Sequence, residues 1–152
     1  MGRDGEMRRI SAYLDIPVDE DEIIENHAKA NNLPIIHLVA PNSTDIRMKL
    51  ADSKSDGFVY CVSVTGVTGA RDGNEVSDSV DRFIERVNQN IVGNPIMVGF
   101  GIKSYEDAQR IASNADGFIA GSALINTIKN SYPKAEWKQE LYEFVHSLKF
   151  GN

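Results

Sequence analysis

The chain has 152 residues, of which 41% are hydrophobic and 25% are charged, and its formal net charge at pH 7 is −6. This length and composition exclude a disordered or collagen-like chain and predict one globular domain. An acidic chain without a basic run argues against nucleic-acid binding, and no apolar run is long enough to cross a membrane. The single cysteine, Cys61, can form neither an internal disulfide nor a zinc site, so we expect a cytoplasmic protein without a bound metal.

Apolar segments of strand length alternate with helical patterns along the chain. Residues 1–9 are charged and predict a leader outside the core, and a helix is predicted from Glu20 to Ala30. Runs without polar alternation are typical of parallel strands that are buried on both faces. Four such runs are found, at residues 34–40, 57–63, 95–101 and 117–121.

Between these runs, apolar residues recur at helical spacing. Ser104 is a predicted N-cap, residues 43–45 open another helix, and a short helix is expected from Ala123 to Ile128. The repetition of strand and helix predicts an α/β domain. The helical sets are Val80, Phe83, Ile84 and Val87; Ala108, Ile111, Ala112 and Ala115; and Leu141, Phe144, Val145 and Leu148.

The chain also contains an internal repeat. Residues 55–59 (SDGFV) resemble residues 115–119 (ADGFI), and residues 32–36 resemble residues 93–97. Duplication of a strand–helix unit is typical of α/β barrels, so a barrel-type arrangement is favoured over a doubly wound sheet.

A candidate phosphate site lies where the last two apolar runs end. Gly99 and Gly101 close one run, and Gly121 and Ser122 close the next, directly before the short helix. Glycine lets the backbone approach an oxyanion closely, and the free N–H groups at a helix start point toward it. The alternative is that these glycines only form turns. Because both pairs occur together with the helix, the pattern favours phosphate binding.

Residues 58–71 (FVYCVSVTGVTGAR) place a glycine- and threonine-rich loop directly after a strand. This segment resembles the sixth strand and following loop of the tryptophan synthase alpha chain family. Residues 98–102 (VGFGI) and 117–123 (GFIAGSA) are similar to the seventh and eighth strands of that family. Residues 38–45 (LVAPNSTD) resemble its fifth strand, and residues 15–20 (DIPVDE) resemble the end of its fourth.

The resemblance implies that residues 1–152 form a single, incomplete domain, a partial TIM (β/α)8 barrel with roughly strands 4–8 and their helices. It implies a lyase of tryptophan biosynthesis, which cleaves indole-3-glycerol phosphate to indole and glyceraldehyde 3-phosphate by a retro-aldol reaction. No cofactor is implied, and a beta subunit is the implied partner. Carried over by motif, Gly69, Gly101, Gly121 and Ser122 contact the phosphate, Tyr60 and Phe100 line the substrate cavity, and Thr68 belongs to the closing loop.

The two catalytic carboxylates of the family, a Glu at the end of its second strand and an Asp in the next loop, have no counterpart in this chain. The reaction needs such groups to protonate the indole ring and to deprotonate a glycerol hydroxyl. No catalytic residue is therefore assigned, and the chain is expected to be inactive alone. Asp15 is an auxiliary candidate, because it matches a family Asp near the active site. Leu14 and Val64 depart from a Pro and a frequent Arg of the family.

Three interpretations remain open. The chain is an incomplete alpha subunit, a phosphate-binding half-barrel that needs another chain, or a different barrel enzyme of similar phosphate chemistry, such as an isomerase of a phosphoribosyl or sugar-phosphate intermediate. The glycine–threonine loop counts against the third. An open half-barrel has unpaired strand edges and exposed inner faces, so self-association is expected. His37 lies inside a buried run and is expected to be a core residue.

Overall fold

A computed structural model describes residues 11–12, 22–62, 73–99 and 101–151, so the predicted leader over residues 1–9 lies outside the described residues. Strands and helices alternate in the described part of the chain, as predicted. The strands are β1 (Ser11–Ala12), β2 (Ile35–Ile36), β3 (Leu38–Val39), β4 (Val59–Val62), β5 (Ile96–Gly99) and β6 (Gly117–Phe118). The helices are α1 (Glu22–Ala30), α2 (Asp45–Lys54), α3 (Gly73–Asn90), α4 (Tyr105–Ala112), α5 (Gly121–Ser131) and α6 (Trp137–Phe150).

All described strand pairs are parallel. One sheet has the order β3-β4-β5-β6, and β1 pairs with β2 in a second, two-stranded sheet. The predicted strand over residues 34–40 is divided at His37, where β2 ends and β3 begins. His37 is buried, as expected; its N–H donates to Ser55 Oγ at 3.1 Å and its carbonyl accepts from Tyr60 N–H at 3.0 Å. Sequential parallel strands joined by helices form a partial α/β barrel, which confirms the predicted fold class.

In β4 and β5, only the side chains that face the helices are fully buried. Val59 and Cys61 on β4 pack into the main hydrophobic core together with Ile96 and Val98 on β5. The alternate residues of the same strands point to the opposite, concave face, because side chains alternate along a strand. These concave-face residues are half-buried: Leu38, Tyr60, Val62, Met97 and Gly99.

Most predicted helix signals are confirmed. Ser104 caps α4 in a capping box with Asp107, and the α3 set of Val80, Phe83, Ile84 and Val87 is buried. On α6 only Leu148 of the predicted set is fully buried, whereas Val145 is 51% exposed. The short helix after Ser122 is longer than predicted, because it begins at Gly121 and continues to Ser131. None of the helices in the described segments is long and apolar enough to span a membrane.

The internal repeat holds the amino-terminal ends of the strands. Asp56 N–H donates to the carbonyl of Ile35, and the Asp56 carboxylate accepts from Ile35 N–H at 3.4 Å. Asp116 makes the same two bonds with Ile96, at 3.1 and 2.8 Å. Each Asp-Gly turn therefore fixes the start of the neighbouring strand, which explains why this motif is repeated and why these carboxylates lie away from the candidate site.

A buried carboxylate connects α2 to the turn that precedes β5. Asp52 is 8% exposed, and its Oδ2 accepts from Val92 N–H at 2.8 Å and Gly93 N–H at 2.9 Å, while Oδ1 accepts from Asn94 Nδ2 at 3.1 Å. Burial by itself raises the pKa of Asp52, but the hydrogen bonds from Gly93, Val92 and Asn94 outweigh it, so the net pKa is lowered. The ionised form is therefore stabilised in the folded chain.

We predict that Asp52→Asn lowers the free energy of unfolding at neutral pH by about 1–3 kcal/mol, because an amide NH2 replaces an acceptor. Since the folded-state pKa lies below the unfolded value, this stabilisation is present above the unfolded pKa and is lost as the pH falls below about 4. Urea unfolding at neutral and acidic pH measures the difference. The matched control is Asp81→Asn on an exposed position of α3. A variant that loses nothing at neutral pH, or loses equally at both pH values, contradicts this role.

Candidate functional site

A cavity of about 180 Å³ lies at the carboxyl ends of β5 and β6, beside Tyr60 of β4. This edge of a parallel sheet is where barrel enzymes bind their substrates. Three predicted site residues, Gly101, Gly121 and Ser122, line the cavity together with the predicted cavity residue Tyr60. The other lining residues are Gly99, Ile102, Lys103, Ile119, Ala120, Ala123 and Asn126.

The start of α5 presents backbone donors at this cavity. The first hydrogen bond of the helix runs from Leu124 N–H to the carbonyl of Ala120, at 3.1 Å, so the three preceding N–H groups have no acceptor within the helix. Ala120 is the N-cap residue, and its methyl group cannot accept a hydrogen bond. Gly121 and Ser122 are exposed, and a Cβ at Gly121 would meet nothing within 4 Å. The helix start is therefore open to an anionic group, which the helix dipole also favours.

The two glycines after β5 have different structural roles. Gly101 has a φ of 65°, a left-handed conformation that L side chains rarely adopt, and it forms the turn beside the cavity. Gly99 lies beneath the ring of Tyr60: an added Cβ would stand 2.2 Å from Tyr60 Oη and Cε2. Gly99 is therefore required by packing, whereas Gly101 and Gly121 leave their backbone accessible at the cavity.

Charge and burial distinguish the polar groups near the site. Lys103 is exposed and is the one charged residue among the described residues that line the cavity. Burial raises the pKa of the Tyr60 phenol, so this group is a neutral hydrogen-bonding group near neutral pH. Burial also raises the pKa of the Cys61 thiol to about 12, and this side chain faces the helices. Cys61 is therefore a core residue and not a nucleophile.

The remaining predicted site residues lie outside the described residues. They are Gly69 and Thr68 of the glycine–threonine loop, Phe100 between β5 and the Gly101 turn, and the auxiliary candidate Asp15. Their predicted roles stay predictions. In the described segments, no group of three or more His, Cys, Asp or Glu side chains could hold a metal ion.

Sequence reasoning missed two polar residues of the cavity, Lys103 and Asn126. Lys103 comes two residues after Gly101, and Asn126 is one helical turn beyond Ser122, so both could have been found by extending each motif along its own element. The packing role of Gly99 had no local sequence signal, because Tyr60 lies on another strand.

The comparisons with known proteins agree with this geometry. The sequence model of the tryptophan synthase alpha chain family matches residues 12–151. The alpha chain of Thermoanaerobacter sp. (strain X514) is 41% identical over 135 residues, which are 89% of this chain and 50% of that protein. The alpha chain of Deinococcus radiodurans is 43% identical over 114 residues, or 75% of this chain and 42% of that protein. The chain thus spans about half the length of the curated relatives it matches.

Solved structures show the same partial match. The tryptophan synthase A-subunit of Pyrococcus furiosus superposes with a TM-score of 0.76 at 27% identity, over 92% of this chain and 54% of that chain. A chain of the α2β2 tryptophan synthase complex from the same organism has a TM-score of 0.77 at 30% identity, over 92% and 55%. The described segments therefore have the fold of one part of the alpha chain barrel.

We predict that Gly99→Ala destabilises the chain by about 1–3 kcal/mol, because the added methyl group must displace the Tyr60 ring. In a Tyr60→Leu background the same substitution should cost at least about 0.5 kcal/mol less, since the ring is gone. Thermal and urea unfolding of the four proteins measure this coupling. Gly121→Ala is the control and should leave stability unchanged or raise it slightly. Equal costs of Gly99→Ala in both backgrounds contradict the described packing.

Proposed function

Because the chain belongs to the tryptophan synthase alpha chain family, we propose that it carries the phosphate-binding part of an indole-3-glycerol phosphate lyase. The observation that carries the proposal is the cavity in which the Gly101 turn and the start of α5, at Gly121 and Ser122, meet. The proposed ligand is the phosphate group of a small phosphate ester. Backbone N–H groups at the helix start and the Ser122 hydroxyl donate hydrogen bonds to its oxygens.

We propose that another polypeptide segment supplies the groups for acid–base catalysis. Retro-aldol cleavage requires one group to protonate the indole ring and another to take the proton of a glycerol hydroxyl. Among the described residues, no carboxylate lines the cavity. Asp45 pairs with Arg86 Nε at 2.9 Å, and Asp56 and Asp116 bind backbone N–H groups of strands. These engagements support the proposal that the chain alone does not catalyse the reaction.

We propose that the concave face of the sheet packs against another polypeptide. Tyr60, Val62 and Met97 are half-buried on this face, whereas the residues of β4 and β5 on the opposite face are fully buried. In the described part of the chain, β6 is the last strand of its sheet, so one of its edges lacks a strand partner. The partner that fits is a segment with the first barrel strands; without it, two copies of the chain associate through the same face.

A beta subunit is a second proposed partner. A chain of the α2β2 complex from Pyrococcus furiosus matches 92% of this chain, and this match supports the proposed partner. We also propose a cytoplasmic location, which the composition of the sequence predicts.

The test mixes the chain with a polypeptide that contains the first three strands of the Thermoanaerobacter alpha chain. We expect the chain alone to be a homo-oligomer in native mass spectrometry and to release no indole from indole-3-glycerol phosphate. The mixture should form a one-to-one complex and release indole. The test variant is Ser122→Asp, because an Asp is favourable at a helix start but its carboxylate repels phosphate. Its complex should form normally. It should release indole at least about tenfold more slowly, which corresponds to about 1.4 kcal/mol.

Three outcomes contradict these proposals. A stable monomer with a cooperative thermal transition contradicts pairing of the concave face. Indole release by the chain alone contradicts the proposal that another segment supplies the acid and base groups. A one-to-one complex that releases no indole contradicts the proposed lyase function.

A further inference from the structure

We infer that Lys103 supplies the positive charge of the phosphate site through a charge-assisted hydrogen bond from Nζ to a phosphate oxygen. The inference rests on the proposed function and adds a charged side chain to the proposed donors, which are backbone N–H groups and the Ser122 hydroxyl. It concerns a residue that the sequence motifs did not identify.

The backbone of Lys103 is fixed at the mouth of the cavity. Ile102, directly before it, is 3% exposed and belongs to the hydrophobic core. The N–H of Lys103 donates to Asp107 Oδ2 at 3.1 Å, and Ser104, directly after it, caps α4. The backbone of Lys103 is therefore anchored by its neighbours, while its side chain is exposed and lines the same cavity as Gly101, Gly121 and Ser122.

The charge balance of the cavity favours this role. A phosphate monoester carries about −1.5 to −2 charges at neutral pH, and a helix start offers the equivalent of about +0.5. The described residues that line the cavity are neutral apart from Lys103, and the whole chain has a net charge of −6. Among the described residues that line this cavity, only the Lys103 ammonium group can add positive charge to that of the helix start.

The neighbouring acidic residues are engaged elsewhere. Lys103 and Glu106 both line a second cavity of about 510 Å³ beside the first. Glu106 is bound by its own backbone N–H and by Ser104, which hold the pKa of its carboxyl below the ordinary value. The Asp107 carboxylate accepts the N–H groups of Lys103 and Ser104, at 3.1 and 3.2 Å. Among the ion pairs of the described residues, none involves Lys103.

The test is a calorimetric titration of the full chain with inorganic phosphate at several salt concentrations. We expect Lys103→Met to weaken phosphate binding about tenfold and to flatten the decrease of log affinity with log salt. Lys103→Arg should retain binding within about threefold, because the charge is kept. The matched control is Lys129→Met, which removes the same charge at the far end of α5 and should bind like the unmodified chain. A lysine that only shaped the loop would leave the salt dependence unchanged.

The outcomes separate this inference from the proposed function. Phosphate binding that is lost in Ser122→Asp but unchanged in Lys103→Met overturns the role of Lys103 alone. An unmodified chain that does not bind phosphate, or a Ser122→Asp variant that binds it equally well, overturns the phosphate site and this inference with it. Thermal unfolding of each variant shows whether it is folded; Lys103 is exposed, so its variants should melt like the unmodified chain.

Discussion

The packing of one sheet face against the helices determines where every other feature of this structure lies. Val59 and Cys61 on β4, together with Ile96 and Val98 on β5, are buried beneath the helices. Because side chains alternate along a strand, this burial places Tyr60 and the other alternate residues on the concave face. A shift of one residue in strand register would reverse both faces, so the core specifies the orientation of the candidate site as well as the stability of the sheet.

The amino-terminal and carboxyl-terminal ends of the strands have different roles. At the amino-terminal ends of the strands, Asp52 binds the turn that precedes β5, and Asp56 and Asp116 bind the first N–H groups of β2 and β5. At the carboxyl ends, Gly101 and Gly121 leave backbone groups accessible beside the cavity. This is the usual separation in α/β barrels, where one edge is structural and the other holds the chemistry. It explains why a chain with 22 acidic residues offers no carboxylate, among the described residues, at its cavity.

Local signals in the sequence predicted the fold and part of the site. The Ser104 cap and the apolar set of α3 were predictable, because each depends on residues close together in the chain. The meeting of Gly101 with the Gly121–Ser122 pair was predictable because both follow strands of one parallel sheet, whose carboxyl ends share an edge. The division of the strand at His37 was not, since β2 and β3 pair with different strands. Nor was the role of Gly99, which depends on the Tyr60 ring across the sheet. Lys103 was missed because a lysine after a strand is ordinary on a protein surface, although it follows Gly101 by only two residues and an extended motif would have included it.

The central claim is that the start of α5 and the Gly101 turn bind a phosphate group, and backbone-resolved NMR tests it most directly. The measurement is a titration of the ¹⁵N-labelled chain with glyceraldehyde 3-phosphate, with glyceraldehyde as the control that lacks the phosphate. We expect the largest amide shifts at Gly101, Gly121, Ser122 and Ala123, and no comparable shifts with glyceraldehyde. Shifts of equal size with both compounds, or shifts centred on residues that do not line this cavity, would contradict the claim.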